Sequence, residues 1–490
     1  MKMKKLFHIY LLFFTAVLFS CEDNLLDGVT SVPADPPAVP ATSGDADFGN
    51  YVALGNSLTA GFMDGALYNR GQSFSFPAQL HSSMAQISGA GAPSGTFNQP
   101  DIDSENGFFG TAGGGAVILG RLKLNANSLP EPTVPGDIPG PYQGDKSALN
   151  NFGVPGILLG QLLSPDTGNP NSPLFNPLYA RFATQPGVST ILGDALATQP
   201  TFFTLWIGNN DVLGYATSGA TNEAIFTDPA LFEGIYTQAL GALVGSGAKG
   251  VVANIPNVTD IPFFKTIPSN ALVLERQTQV DSLNAGYTQF NAAIQQYNAT
   301  PGLPESQQRP TVSFQVGPNQ FLIEDEDLPD LTALGIPSIR QMTSEELVGL
   351  TVPQDSIPIW LAQGQGIPNQ YILTSLEIEE VLQRTTELNT IISNQVSAVN
   401  ADATVVALLD MNSIFSDFAA NGVSSYYGVA LDPTLAPPFG GFSLDGVHPN
   451  ARGHAFVANL FIDAINATFN STLPYVALEA APGNDFPPVQ

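Results

Sequence analysis

The chain has 490 residues, 43% of them apolar, which suffices for one large core or two ordinary ones and excludes a disordered protein. Lys and Arg number 15 against 43 Asp and Glu, and the resulting charge of −28 repels a phosphate backbone and excludes nucleic acid as a partner. With 47 Gly, 40 Pro and only 12% charged residues the chain is rich in turns and loops rather than coiled coils, and one Cys with four His leaves neither an internal disulfide nor an ordinary zinc site.

Lys2, Lys4 and Lys5 precede an apolar run over residues 6–19, too short for a comfortable membrane span but suited to a signal-peptide core, so residues 1–20 are expected to be removed. The run ends in Leu18-Phe19-Ser20-Cys21, which resembles the lipobox of bacterial lipoproteins, with Phe19 where a small residue is usual. By that resemblance Cys21 carries the lipid and the protein is anchored to the outer membrane of the cell envelope. Glu22 and Asp23 resemble the acidic tag that sends some Gram-negative lipoproteins to the outer face; read as residues alone, they are equally a solvated charge pair. Loss of the three lysines takes the charge from −28 to −31. Residues 21–47, with Pro33, Pro36, Pro37 and Pro40 and no hydrophobic period, read as a tether spanning about 30 Å if flexible.

From residue 48 the pattern alternates. Short apolar runs at 51–54, 202–207, 250–254 and 405–409, bounded by Gly, Asn or Asp, read as strands buried on both faces. Three- and four-residue apolar spacing over 231–244, 280–297, 376–399 and 451–469 reads as helix. The alternation predicts a parallel sheet covered by helices, with chemistry just beyond the carboxyl ends of the strands. Residues 64–145 and 299–372 break the pattern and read as insertions, and 471–490 as a tail. Glu324-Asp325-Glu326-Asp327 lacks the spacing and glycine of a calcium loop and reads as solvated. The glycines between 110 and 115 precede a strand pattern rather than a helix, which argues against a nucleotide loop.

Directly after the first strand stands Gly55-Asn56-Ser57-Leu58-Thr59-Ala60-Gly61, where a serine can expose its hydroxyl at a helix N-terminus or serve as an ordinary cap. The body offers His81, His448 and His454 as bases. Asp445-Gly446-Val447-His448 can fold back so that the carboxylate orients the imidazole toward a nucleophile. His454 reads as helix surface or cap, and His81 has no carboxylate nearby in sequence. Asn151-Phe152-Gly153-Val154-Pro155-Gly156 and Gly208-Asn209-Asn210-Asp211 supply the glycine N–H and side-chain amide that an oxyanion hole requires. Phe62, Met63 and Phe442 adjoin these segments and are expected in the core.

In this order the four segments resemble the SGNH subgroup of the GDSL hydrolases, serine esterases and lipases on a flavodoxin-like three-layer α/β/α fold. The resemblance implies Ser57 as nucleophile, His448 as base and Asp445 as its orienting acid, with Ser57 N–H, Gly156 N–H and the Asn210 amide as oxyanion hole. The first block departs from the family name in having Asn56 where Asp is usual, and the blocks are spread over about twice a minimal domain. The expectation is an acyl-ester hydrolase without metal or other cofactor. Its rivals are a non-catalytic glycan- or peptide-binding lipoprotein on the same fold, and an O-acyltransferase.

Overall fold

In the computed structural model, residues 40–426 and 429–488 are described. Residues 41–490 form one compact unit. The signal peptide, Cys21 and nearly all of the expected tether lie outside the described residues. The tether ends earlier than expected: at 42–46 the chain is already pinned to the body, with Asp45 N–H donating to Phe469 O at 2.7 Å and Ala46 buried.

The centre is a parallel five-stranded sheet of β1 (Tyr51–Gly55), β2 (Asn151–Gly153), β3 (Phe202–Trp206), β4 (Lys249–Ala253) and β5 (Val406–Leu409), in the order β5-β4-β3-β1-β2. Every residue of β1, β2 and β3 is buried, as expected where helices cover both faces of a parallel sheet. After β1 the chain steps to one side for β2, and β3, β4 and β5 then build outward on the other side. The connections therefore diverge between β1 and β3, the place where open α/β sheets leave a crevice at their carboxyl edge. Gly55 lies in register with both Gly153 and Trp206, so the segments following β2, β1 and β3 leave the sheet side by side.

The flanking helices are α1 (Ser57–Ala60), α2 (Phe76–Met84), α3 (Asn210–Thr217), α4 (Pro229–Gly245), α5 (Ser375–Val399), α6 (Met411–Asn421) and α7 (Ala451–Phe469). Start signals explain several of them: Asp228 caps α4 ahead of Pro229, and Thr374 with Glu377 forms a capping box on α5. α2 packs on α7, and α4 on α5. Phe76 of α2 stacks on Phe461 of α7 at 4.7 Å and meets Trp206 of β3 edge-on at 5.8 Å, while Phe202 meets Phe469 at 5.6 Å. Alternation then turns Phe203 and Leu205 to the other face. The arrangement is compatible with three layers, helix on sheet on helix.

Both expected insertions need new boundaries. Within 64–145, α2 belongs to the sheet covering, and the irregular excursion follows it, carrying the small hairpins Gly110–Ala112/Val117–Leu119 and Leu122–Leu124/Pro130–Pro132. The helix expected over 280–297 is two helices, Gln277–Gly286 and Thr288–Asn298, separated at Tyr287. They do not cover the sheet: Val280 and Tyr287 pack with Val312, Phe314 and Ile339 in a separate cluster, so the second excursion begins before 299. Its acidic run is not uniformly solvated, because Asp325 is buried and accepts from Arg340 Nε at 2.5 Å. The C-terminal segment is docked as well, with Asn459 of α7 exchanging hydrogen bonds with the Val476 main chain and Leu473 and Leu478 buried.

Candidate active site

Asn56, not Ser57, caps α1: its Oδ1 accepts from Leu58 N–H at 3.1 Å. This leaves the Ser57 hydroxyl, on the first helical residue, free to bond elsewhere, and it lies 2.8 Å from His448 Nε2. Ser57 N–H has no hydrogen-bond partner among the described residues.

His448 is held from behind by Asp445. His448 Nδ1 is 2.9 Å from Asp445 Oδ2, while Val447 N–H and His448 N–H both donate to Asp445 Oδ1 at 2.9 Å. A fourth donor comes from far away in sequence: Gly65 N–H reaches Asp445 Oδ2 at 2.9 Å. Burial by itself would raise the carboxyl, but the His448 ring and the His448 and Val447 N–H groups outweigh it and hold the group at about 2. Asp445 is therefore an anion at neutral pH, which places the His448 proton on Nδ1 and leaves Nε2 to accept from the serine hydroxyl. Phe62 packs on the imidazole with ring centroids 4.9 Å apart.

The donors expected to face an oxyanion follow three neighbouring strands. Gly156 stands in a left-handed turn after β2 (φ 80°), exposed, and its N–H also has no partner among the described residues. Side-chain amides pin that turn on both sides. Asn176 Nδ2 donates to Pro155 O at 2.8 Å and Asn210 Nδ2 to Ile157 O at 2.8 Å. One N–H of Asn210 is thereby used, and the other remains for a ligand. Asp211 continues the clamp: its Oδ2 accepts from Leu159 N–H at 2.9 Å, and burial pushes its carboxyl up to about 6. Asn151 Nδ2 donates to Thr59 O at 2.9 Å, joining β2 to α1.

Ser57, His448, Asn209 and Asn210 line a cleft that opens to the surface. Its remaining wall is largely apolar, from Leu58, Trp206, Leu213, Val258, Ile261 and Val447. Of the aromatic and sulfur neighbours noted in sequence, only Phe62 touches the site; Met63 is buried, and Phe442 stacks on Phe418 in the core.

Ser57, His448 and Asp445 thus come together in one hydrogen-bonded line, with Gly156 and Asn210 at the adjoining strand ends. His454 corrects the sequence reading: it is buried in α7, not at a helix surface, with neither ring nitrogen partnered among the described residues. Desolvation lowers its pKa to about 3, so it is neutral. His81 lies on α2 against Phe97, away from the cleft. Sequence reasoning missed Gly65, Asp64 and Arg121. The Asp64-Gly65 dipeptide is itself a turn signal, but nothing local ties it to Asp445. The chain matches no protein-family model, and no curated protein matches its sequence.

Proposed function

We propose that the protein is a serine ester hydrolase of the SGNH type on a flavodoxin-like fold, acting on neutral esters with an apolar acyl group. The observation that carries this reading is the unbroken line Ser57 Oγ, His448 Nε2, His448 Nδ1, Asp445 Oδ2, opening into a largely apolar cleft. The sheet order 2-1-3-4-5, counted by strand, and the position of Ser57 beyond its switch point favour the same reading.

In the reaction, Ser57 Oγ attacks the acyl carbonyl carbon as its proton passes to His448 Nε2. The carbonyl oxygen becomes an anion, for which Ser57 N–H, Gly156 N–H and the second Asn210 N–H are the donors. When the tetrahedral adduct collapses, the ester C–O bond breaks and the imidazolium returns its proton to the leaving alkoxide. Water, deprotonated by His448, then attacks the acyl-enzyme and releases the acid and the free serine. Asp445 stays ionised throughout and stabilises the imidazolium.

The lipobox-like Cys21 supports anchoring of this enzyme to the outer membrane, with the active body presented on a tether. The activity is tested with a fluorophosphonate serine reagent and a panel of neutral 4-nitrophenyl esters. Labelling at Ser57 together with turnover of the esters supports the reading; a folded protein that neither reacts nor turns over would overturn it.

A further inference from the structure

Four residues after α1 the chain turns back sharply. Met63 and Ala66 exchange main-chain hydrogen bonds at 3.2 and 3.1 Å, and the two residues between them, Asp64 and Gly65, have φ of 55° and 74°. This is the two-residue hairpin turn with both central residues left-handed, for which Asp-Gly is a preferred pair. The Gly65 N–H that it presents is the distant donor on Asp445 Oδ2.

Every polar group of Asp64 is occupied. Its N–H donates to Ser443 Oγ at 2.9 Å and its carbonyl accepts from Leu122 N–H at 2.8 Å. Its Oδ1 accepts from Leu444 N–H at 3.0 Å and its Oδ2 from Tyr68 OH at 2.7 Å. Arg121 Nη1 lies 3.6 Å from the same Oδ2, and its guanidinium sits 4.7 Å over the Tyr68 ring. Ser443 and Leu444 immediately precede the catalytic acid, and Arg121 and Leu122 come from the excursion after α2. One side chain therefore joins the nucleophile segment, the acid loop and the excursion.

We propose that Asp64 is the positioning residue of the acid Asp445, and that Arg121 supplies the counter-charge that lets Asp64 do this from a buried site. The inference rests on the serine hydrolase reading. The excursion after α2 is then part of the machinery that aims the Asp445–His448 relay. Arg121 is itself nearly buried, with 12% of its side chain exposed, and is engaged by Asp64. Burial raises the Asp64 carboxyl, with Leu444 N–H, Tyr68 OH and Arg121 opposing and Asp445 adding to the rise. The charged or titratable groups around the relay are Asp64 and Tyr68 on the turn side, Arg121 from the excursion, Arg70 beyond Tyr68, and His454 from α7.

The test uses the full chain and 4-nitrophenyl butyrate. Asp64→Asn and Arg121→Gln should each lower kcat about tenfold with KM within about twofold, and Arg121→Lys should recover most of the loss, because a misaimed relay costs turnover rather than binding. The acid limb of the kcat/KM profile should move to lower pH in Asp64→Asn, which removes a negative charge beside the relay. It should move to higher pH in Arg121→Gln, which leaves that charge unbalanced. An acid limb unmoved in both, a loss confined to KM, or a lysine no better than the glutamine overturns the proposal. Should Asp64→Asn fail to fold, the two Arg121 variants decide. If Ser57→Ala keeps its activity the hydrolase reading itself falls; if it is inactive while the Arg121 variants are normal, only the role of Asp64 and Arg121 falls.

Discussion

Ser57 Oγ lies 2.8 Å from His448 Nε2 although 391 positions separate the two residues. The contact is a product of packing at both ends. Ser57 leaves the middle of the sheet at β1, and His448 is delivered by the loop before α7, whose Phe461 and Phe469 pack against Phe76 and Phe202. Small shifts of α7 would therefore be felt at the hydroxyl.

Replacing the nucleophile gives the first expectation. Ser57→Ala should fold normally and lose at least about three orders of magnitude in kcat, leaving only what binding and the oxyanion donors provide. Steady-state kinetics on a neutral ester decide it, and a variant retaining more than about a tenth of the activity removes Ser57 from the chemistry.

Asn210 pins Ile157 O with one N–H, and the proposed mechanism assigns the other to the oxyanion. Asn210→Ala should lower kcat by about a hundred- to a thousandfold with little change in KM, since the donor acts mainly on the transition state. A change in KM alone would make it a substrate-binding group.

The apolar cleft predicts a length preference. Leu213, on α3, is half-buried in its wall, so Leu213→Trp should shorten the space available to an acyl chain. We expect kcat/KM for a hexanoyl ester to fall about tenfold while that for an acetyl ester changes less than about threefold. Equal losses on both would place the acyl chain elsewhere.

His454 predicts a pH dependence of stability. Its folded pKa of about 3 lies below the unfolded value near 6.5, so the unfolded chain takes up the proton first. The stability contributed by neutral burial is complete above about pH 6.5 and is lost as pH falls toward 3, by up to about 1.4 kcal/mol per unit. Asp211, raised by burial to about 6, and Glu377, raised by burial to about 7, act in the opposite sense, but equally in wild type and variant. Urea unfolding at pH 7, 6 and 5 should therefore show His454→Phe gaining on the wild type as the pH falls. Parallel curves would mean that His454 is charged or solvated in the folded protein.

The strands β1, β3, β4 and β5 and the helices α4, α5 and α7 were legible from local sequence, because a strand buried on both faces needs a continuous apolar run and a covering helix needs its apolar period. Asp445 and His448 were legible for a similar reason, being three residues apart on one turn, as was Ser57 at the end of a strand. The strand Asn151–Gly153 was not, since three residues carry no period, and its pairing with β1 alone makes it a strand. Nor was the burial of His454, because α7 is covered on nearly all sides and its polar residue had no local reason to be inside. The closure of Ser57 on His448, the reach of Gly65 to Asp445 and the pairing of Arg121 with Asp64 belong to tertiary structure alone. Each joins segments far apart in the chain, and such contacts exist only once the sheet order and the packing of α2 on α7 have brought those segments to one edge.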